Sequence, residues 1–207
     1  MHPNPIFHKT DRARSLAFAR ERGFGVLAVS AEGAPHLSHV PFLLSEDGTS
    51  ALLHLVRSNP IARTVRAATP ARLDVLGPDG YVSPDWYGID DQVPTWNYVA
   101  VHLLGQLHPM PPESIEEVLE AQSAAYEGRL DKRPWTMDKM SGDAKARMLR
   151  QILPFRLEVT GIDATWKLGQ NKPDEVRKRA AGHARGGLGN DLGTLANLMD
   201  APPDLTD

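Results

Sequence analysis

Between Phe24 and Val56, three apolar runs, FGVLAVS (Phe24–Ser30), HLSHVPFLL (His36–Leu44) and ALLHLV (Ala51–Val56), are separated only by the turn sequences AEGAP and SEDGTS. Strands joined this tightly must pair antiparallel, because a parallel pair needs a crossover of a dozen or more residues. The pattern continues downstream. Ala71–Leu76 predicts a fourth strand closed by the turn sequence GPDG, and Tyr81–Ser83 starts a fifth that SPDWY interrupts. Val99–Leu104 is apolar at almost every position, as expected for a strand buried on both faces or set in a subunit interface. Phe155, Leu157 and Val159 alternate with Arg156, Glu158 and Thr160, which predicts a strand with one wet face, near a sheet edge. Short sequential strands with tight turns imply a small antiparallel barrel, mainly β, with helices attached.

The helices have their own start and stop signals. Thr10 or Asp11 can cap a first helix with Ala13, Leu16 and Ala17 on one face, and Gly23 is placed to end it in the left-handed conformation. Pro60 suits the first turn of a helix capped by Ser58 or Asn59 and continued by IARTVRAA. Ile115, Val118, Leu119 and Tyr126 follow helical spacing within Glu113–Tyr126, and Asp143–Ile152 offers a shorter helix, so a helical insert is expected at about 112–152. After Lys172 the chain enters a helix capped by Asn171 with Pro173 in its first turn, the Gly-rich GHARGGLGN then bends it, and a last helix falls near Leu192–Met199. The expected organisation is one barrel domain over 1–182 and a partly helical tail over 183–207.

Composition removes several function classes. The chain has no cysteine, so it offers no disulfide, iron-sulfur cluster or thiol nucleophile, and redox chemistry would need a borrowed cofactor. A formal charge of -3 supplies no global attraction to a polyanion. No apolar run approaches membrane-spanning length and the N-terminus lacks the order of a signal peptide, so a cytoplasmic protein that does not enter the membrane is expected. His36 and His39 are three apart on a predicted strand and point to opposite faces, so no metal site is expected. Neither a dinucleotide fingerprint nor a phosphate-binding GxxxxGK[ST] loop occurs.

Three constellations remain. At the strand-to-helix junction HLVRSNP (His54–Pro60), Arg57, Ser58 and Asn59 either cap a helix and sit in solvent or hold a phosphate at its free N-H groups. SPDWY and VPTWN place Trp86, Tyr87, Trp96 and Tyr98 close together, either as core plugs or as a stacking wall for a planar ligand. TWKLGQN (Thr165–Asn171) puts Lys167, Gln170 and Asn171 just after a strand, with Lys167 either exposed or set to meet a phosphate or a carbonyl. Arg177, Lys178, Arg179 and Arg185 form a basic cluster that reads more simply as a solvated helix face than as a DNA contact.

Together these pieces resemble the PaiB family of FMN-binding negative transcriptional regulators. The resemblance is carried by Pro3, Pro5 and Phe7, by Phe24 and Gly25, by Ser38, His39, Pro41 and Phe42, and by His54, Arg57, Asn59 and Pro60. Its most specific parts are YVSP-WY at 81–87 and VPTWNY at 93–98, and it closes on Lys167, Leu168, Gln170 and Asn171. It implies a dimeric six-stranded antiparallel FMN-binding split barrel, PNP-oxidase-like, with flavin sites at the interface of a homodimer. It also implies the flavin phosphate near Arg57, Ser58 and Asn59, the strand of Ser38, His39 and Val40 beside the flavin ring, and His54 close by. Trp96, Asn97, Lys167 and Gln170 would then close the pocket. Four positions depart from the family pattern: His2 for Tyr, Leu53 for Gly, Val56 for Ala and Gly169 for Ser; the larger side chains at 53 and 56 can narrow the flavin space or pack behind it. Transcriptional regulation, with DNA contacted directly or through a partner, is the function this implies. Flavin-dependent oxidoreduction or flavin reduction is the alternative, and haem binding through His39, His54 or His102 the third reading.

Overall fold

The structure is a computed structural model that describes residues 2–204; the last three residues of the expected tail lie outside that range. Its strands are β1 (Phe24–Val29), β2 (His36–Leu44), β3 (Ser50–Val56), β4 (Thr69–Val82), β5 (Thr95–Pro109), β6 (Ile152–Lys167) and the two-residue β7 (Gly189–Asn190). Its helices are α1 (Arg12–Arg22), α2 (Pro60–Thr64), α3 (Ile115–Glu127), α4 (Gly142–Leu149), α5 (Asp174–Ala184) and α6 (Leu192–Asp200). The strand order is β1-β2-β3-β6-β5-β4-β7, and a further pairing of β1 with β4 closes the first six strands into an antiparallel barrel with flanking helices. The chain divides into two compact units.

One unit comprises Ala19–Asp74 and Leu103–Gly161. Here the predicted hairpins form: β1 pairs with β2 from Phe24↔Pro41 to Val29↔His36, and β2 pairs with β3 through Phe42↔Leu53. The alternation on β2 and β3 puts Val40, Phe42, Leu44, Leu53 and Leu55 inside. Leu53 therefore packs into the core, leaving only the half-exposed Val56 of the two enlarged positions at the surface. The β6 segment Ile152–Glu158 pairs with β3, and β6 lies between β3 and β5 in the sheet, so it is not the edge strand its alternation suggested. A barrel strand with one face to solvent alternates just as an edge strand does. Gly23 ends α1 at φ +58 as expected, with its N-H donating to Ala19 O at 3.0 Å.

The other unit comprises the N-terminal stretch to Phe18, Val75–His102 and the chain from Ile162 onward. Its core gathers Val82, Tyr87, Val99, Trp166, Leu168, Ala180, Leu195 and Met199. Trp166 is fully buried, donates Nε1-H to Ser15 Oγ at 3.1 Å and meets Phe18 edge to face at 5.5 Å. GPDG is not a turn: β4 runs straight through it. A Cβ on Gly77 would lie 2.6 Å from the Phe18 ring, and one on Gly80 would lie 2.7 Å from Leu195. These glycines mark close approach of helix side chains to a strand. The buried residues of Val99–Leu104 on this side, Val99, Ala100 and Val101, are covered by their own chain. α5 runs past residue 182, and α6 buries Leu195, Ala196 and Met199 completely. α5 starts at Asp174 without a side-chain cap, so Asn171 does not play the capping role expected of it.

Candidate functional site

The predicted residues form two groups, one in each unit. In the barrel-strand unit, Asn59 lies extended between β3 and α2, and its side chain works in two directions. Its Oδ1 accepts the Ile61 N-H at 2.9 Å, capping the short α2, and its Nδ2 donates to Ser38 Oγ at 2.9 Å. Arg57 is exposed, and its Nε donates to Arg150 O at 2.6 Å while its backbone N-H donates to Gln151 O. Ser58 is exposed. The end of α4 thus moors Arg57 at the junction, a contact with no local sequence signal.

His54 is the other fixed point. Its Nδ1 donates to Gln122 Oε1 at 3.0 Å, and Gln122, 4% exposed, donates Nε2 to Leu52 O. Burial pulls the His54 pKa below its usual value, with the Gln122 hydrogen bond opposing in part. On β2, Val40 is a core residue whose side chain faces away from solvent, whereas His39 is exposed and stacks on the exposed Phe24 at 6.4 Å. Of the histidines weighed for iron, His54 is thus committed to Gln122 and His39 lies on the outer surface.

In the second unit, a cavity of about 240 Å³ opens among His2, Asn97, Thr95, Lys167, Gly169 and Lys172. Asn97 is 1% exposed, and neither its Nδ2 nor its Oδ1 has a hydrogen-bond partner. Leaving a buried amide group unanswered costs about 1–3 kcal/mol. Lys167 donates to Thr95 Oγ1, and its partial burial lowers its pKa. Lys172 donates to Gln92 Oε1 and lies over the Tyr87 ring at 5.3 Å. His2 meets Phe7 edge to face, and burial, followed by the positive Lys167, holds its pKa below the usual histidine range.

The structure does not bring all the expected residues to this cavity. Trp96 is half-exposed against Tyr81, and Trp86 stacks on His183 at 5.9 Å. Gln170 turns back on its own strand: Oε1 accepts Leu168 N-H and Nε2 donates to Trp166 O. Its carboxamide shapes the loop after β6 and is spent on backbone. His2, Thr95 and Lys172 line the cavity without having been singled out as binding residues. His2 and Gly169 did stand out as departures from the family pattern, and both line it. The basic cluster is largely committed. Arg177 is 6% exposed and donates to Met199 O and Asp174, Arg179 donates to Tyr87 O, and Arg185 donates to Asn197 Oδ1.

Residues 1–161 match the family described as "Putative FMN-binding domain". The Bacillus subtilis protein named Protease synthase and sporulation protein PAI 2 is 32% identical over 171 residues, which covers 81% of this chain and 82% of that protein. This chain belongs to the PaiB family. Solved structures similar in fold to this chain include the FAD and heme binding protein from Mycobacterium smegmatis. It has a TM-score of 0.56 and 18% identity, covering 87% of this chain and 80% of that one. The flavocytochrome Anf3 from Azotobacter vinelandii has a TM-score of 0.57 and 14% identity, covering 80% and 72%. Both share the six-stranded barrel. The family description names FMN, and the lining of the second-unit cavity, with Lys167 and Lys172 on it, fits a polar, anionic group of that kind.

Proposed function

We propose that this protein is an FMN-binding regulator of PaiB type, acting in the cytoplasm as a homodimer to lower transcription, with FMN as the ligand that biases its state. The observation that carries FMN binding is the match of residues 1–161 to the family described as "Putative FMN-binding domain", with Lys167 and Lys172 on a polar cavity of the second unit. When bound, FMN supplies a ring that accepts and returns electrons, and the protein's part is to bind and orient it. Arg57 and the Ser58 hydroxyl, both exposed beside the Ser38–Asn59 hydrogen bond, are the donors proposed for the flavin phosphate.

The regulatory role draws on the name of the Bacillus relative. The committed basic side chains of α5 and the net charge of -3 favour repression through a partner over direct grip on DNA. Dimerisation is supported by large apolar side chains left outside, with Phe24 53% and Leu37 63% exposed on the paired β1 and β2.

The test has two arms. FMN added to the pure protein is expected to bind, and deletion of the gene is expected to raise a defined set of transcripts that the wild-type copy restores. An unchanged transcript profile contradicts the regulatory role, and a shift of promoter DNA by the protein alone at low salt contradicts the indirect route.

A further inference from the structure

The helical insert holds an apolar cavity to which the FMN reading gives no role. It lies wholly within the barrel-strand unit, measures about 180 Å³ and is walled by Leu119, Trp135, Met137, Met140 and Met148, with Lys145 and Ser123 adding polar groups. Its walls follow from the local structure. α3 turns Val118 and Gln122 inward, with Gln122 donating to Leu52 O, which leaves Leu119 and Ser123, one turn apart, on the neighbouring stripe of the helix. Lys145 and Met148 are likewise one turn apart on α4. Between the helices, the Glu127 carboxylate accepts the Trp135 N-H at 2.8 Å and the Lys132 ammonium, so the connecting chain is tied back to α3. A 3-10 turn at Met137–Lys139 then closes, with Met140 N-H donating to Met137 O at 3.0 Å.

The lining selects one part of an occupant. Three of the six methionines of the chain meet at this cavity, and they range from Met137, 8% exposed, to Met148, 56% exposed, so thioethers stand both in the buried wall and at the mouth. Sulfur makes favourable contacts with aromatic rings, and the unbranched methionine side chain adapts to the ring it meets. An apolar cavity of roughly 150 Å³ holds one benzene ring. The space here is therefore that of a single aromatic ring.

Charge at the rim selects the other part. Lys145 donates to Glu116, and this hydrogen bond, followed by the negative charges of Glu116, Glu120 and Asp138, raises its pKa. Three carboxylates thus act on one ammonium, and Glu120 and Asp138 are both exposed. Lys132 and Lys139 act on Glu127, at the opposite end of α3. A carboxylate on the ligand would be repelled by the surplus and would have to displace Glu116 to reach Lys145. An ammonium is drawn to it.

We propose that this cavity binds a small arylalkylamine, with the ring among the methionines and Trp135 and the ammonium at Glu120 and Asp138. The test follows isotope-labelled methionine methyl groups by NMR in the full chain. Phenethylamine, phenethyl alcohol and phenylacetate carry the same ring with positive, zero and negative charge. Phenethylamine is expected to shift the methyl signals of Met137, Met140 and Met148, while that of Met199, in the core of the other unit, stays in place. It should bind about fivefold or more tighter than phenylacetate, with the alcohol between them, and added salt should narrow the gap. Glu120→Gln combined with Asp138→Asn changes only exposed side chains and should bring amine and acid within about twofold of each other. The wild-type comparison stands without the variant. Methyl signals that none of the three compounds moves, or phenylacetate binding as tightly as phenethylamine, would overturn the proposal. Signals that move on dilution of the protein alone would mean that a second copy fills the cavity, and would overturn it too.

Discussion

Gln122 on α3 accepts the Nδ1 proton of His54 on β3 at 3.0 Å while donating to Leu52 O, so one buried amide ties the helical insert to two points of a barrel strand. Burial keeps His54 below the ordinary histidine pKa in the folded protein. The unfolded chain then takes up its proton first as pH falls, so the stability is fully present above about pH 6.5 and declines as pH drops from there toward the lowered folded value. Denaturation midpoints measured between about pH 8 and pH 5 should fall on acidification. His54→Phe should flatten that slope, and an unchanged slope in the variant would remove His54 as its source.

Tyr126 places its hydroxyl between two backbone carbonyls, Gly23 O at 2.7 Å and Phe42 O. Tyr126→Phe leaves both carbonyls without this donor and is expected to cost about 1–3 kcal/mol in chemical denaturation. Gly23→Ala acts on the same spot from the other side. It puts a Cβ 2.8 Å from the Tyr126 ring at a φ of +58, so a loss of more than about 1 kcal/mol is expected. The two changes should not be additive, because they share the contact.

Arg177 joins α5 to the end of α6, with Nε donating to Met199 O at 2.7 Å from a site that is 6% exposed. Arg177→Met keeps the length of the side chain and removes the donors. Hydrogen exchange of the α6 amides should then accelerate well ahead of the barrel strands, while equal acceleration throughout would mean that α6 opens only with the whole fold.

How much of this was legible beforehand follows from where the causes lie. The β1-β2-β3 hairpins, the Gly23 cap and the helical insert rest on local period, turn chemistry and capping, all written within a few residues of where they act. β4 was misread as two strands because Gly77 and Gly80 look like turn residues, and only Phe18 and Leu195, distant in sequence, reveal them as clearance for helix side chains. The edge assignment of β6 failed because alternation reports a wet face and carries no information about neighbours. At the site, Asn97 and Lys167 were visible through the family motif, whereas Gln122 had no signal because its partner is a strand residue on the far side of β4 and β5 in sequence. Gln170 closes the loop after β6 with its own carboxamide, a role that a glutamine just after a strand fills as readily as it meets a ligand.

Gly169 departs from the serine of the family pattern and sits at φ +85, in the left-handed region. Gly169→Ala adds a Cβ at 3.8 Å from Asn97 Nδ2 and strains the backbone, so it should weaken FMN binding at the cavity as well as lower the denaturation midpoint. FMN titration and chemical denaturation of the same sample separate the two effects, and unchanged FMN affinity would show that this side of the cavity stays clear of the ligand.

Binding of FMN by this chain is tested most directly by an equilibrium fluorescence titration of FMN with the purified protein. Saturable quenching that is weakened in Lys167→Met is expected. Emission that stays equal to that of free FMN at saturating protein would contradict it.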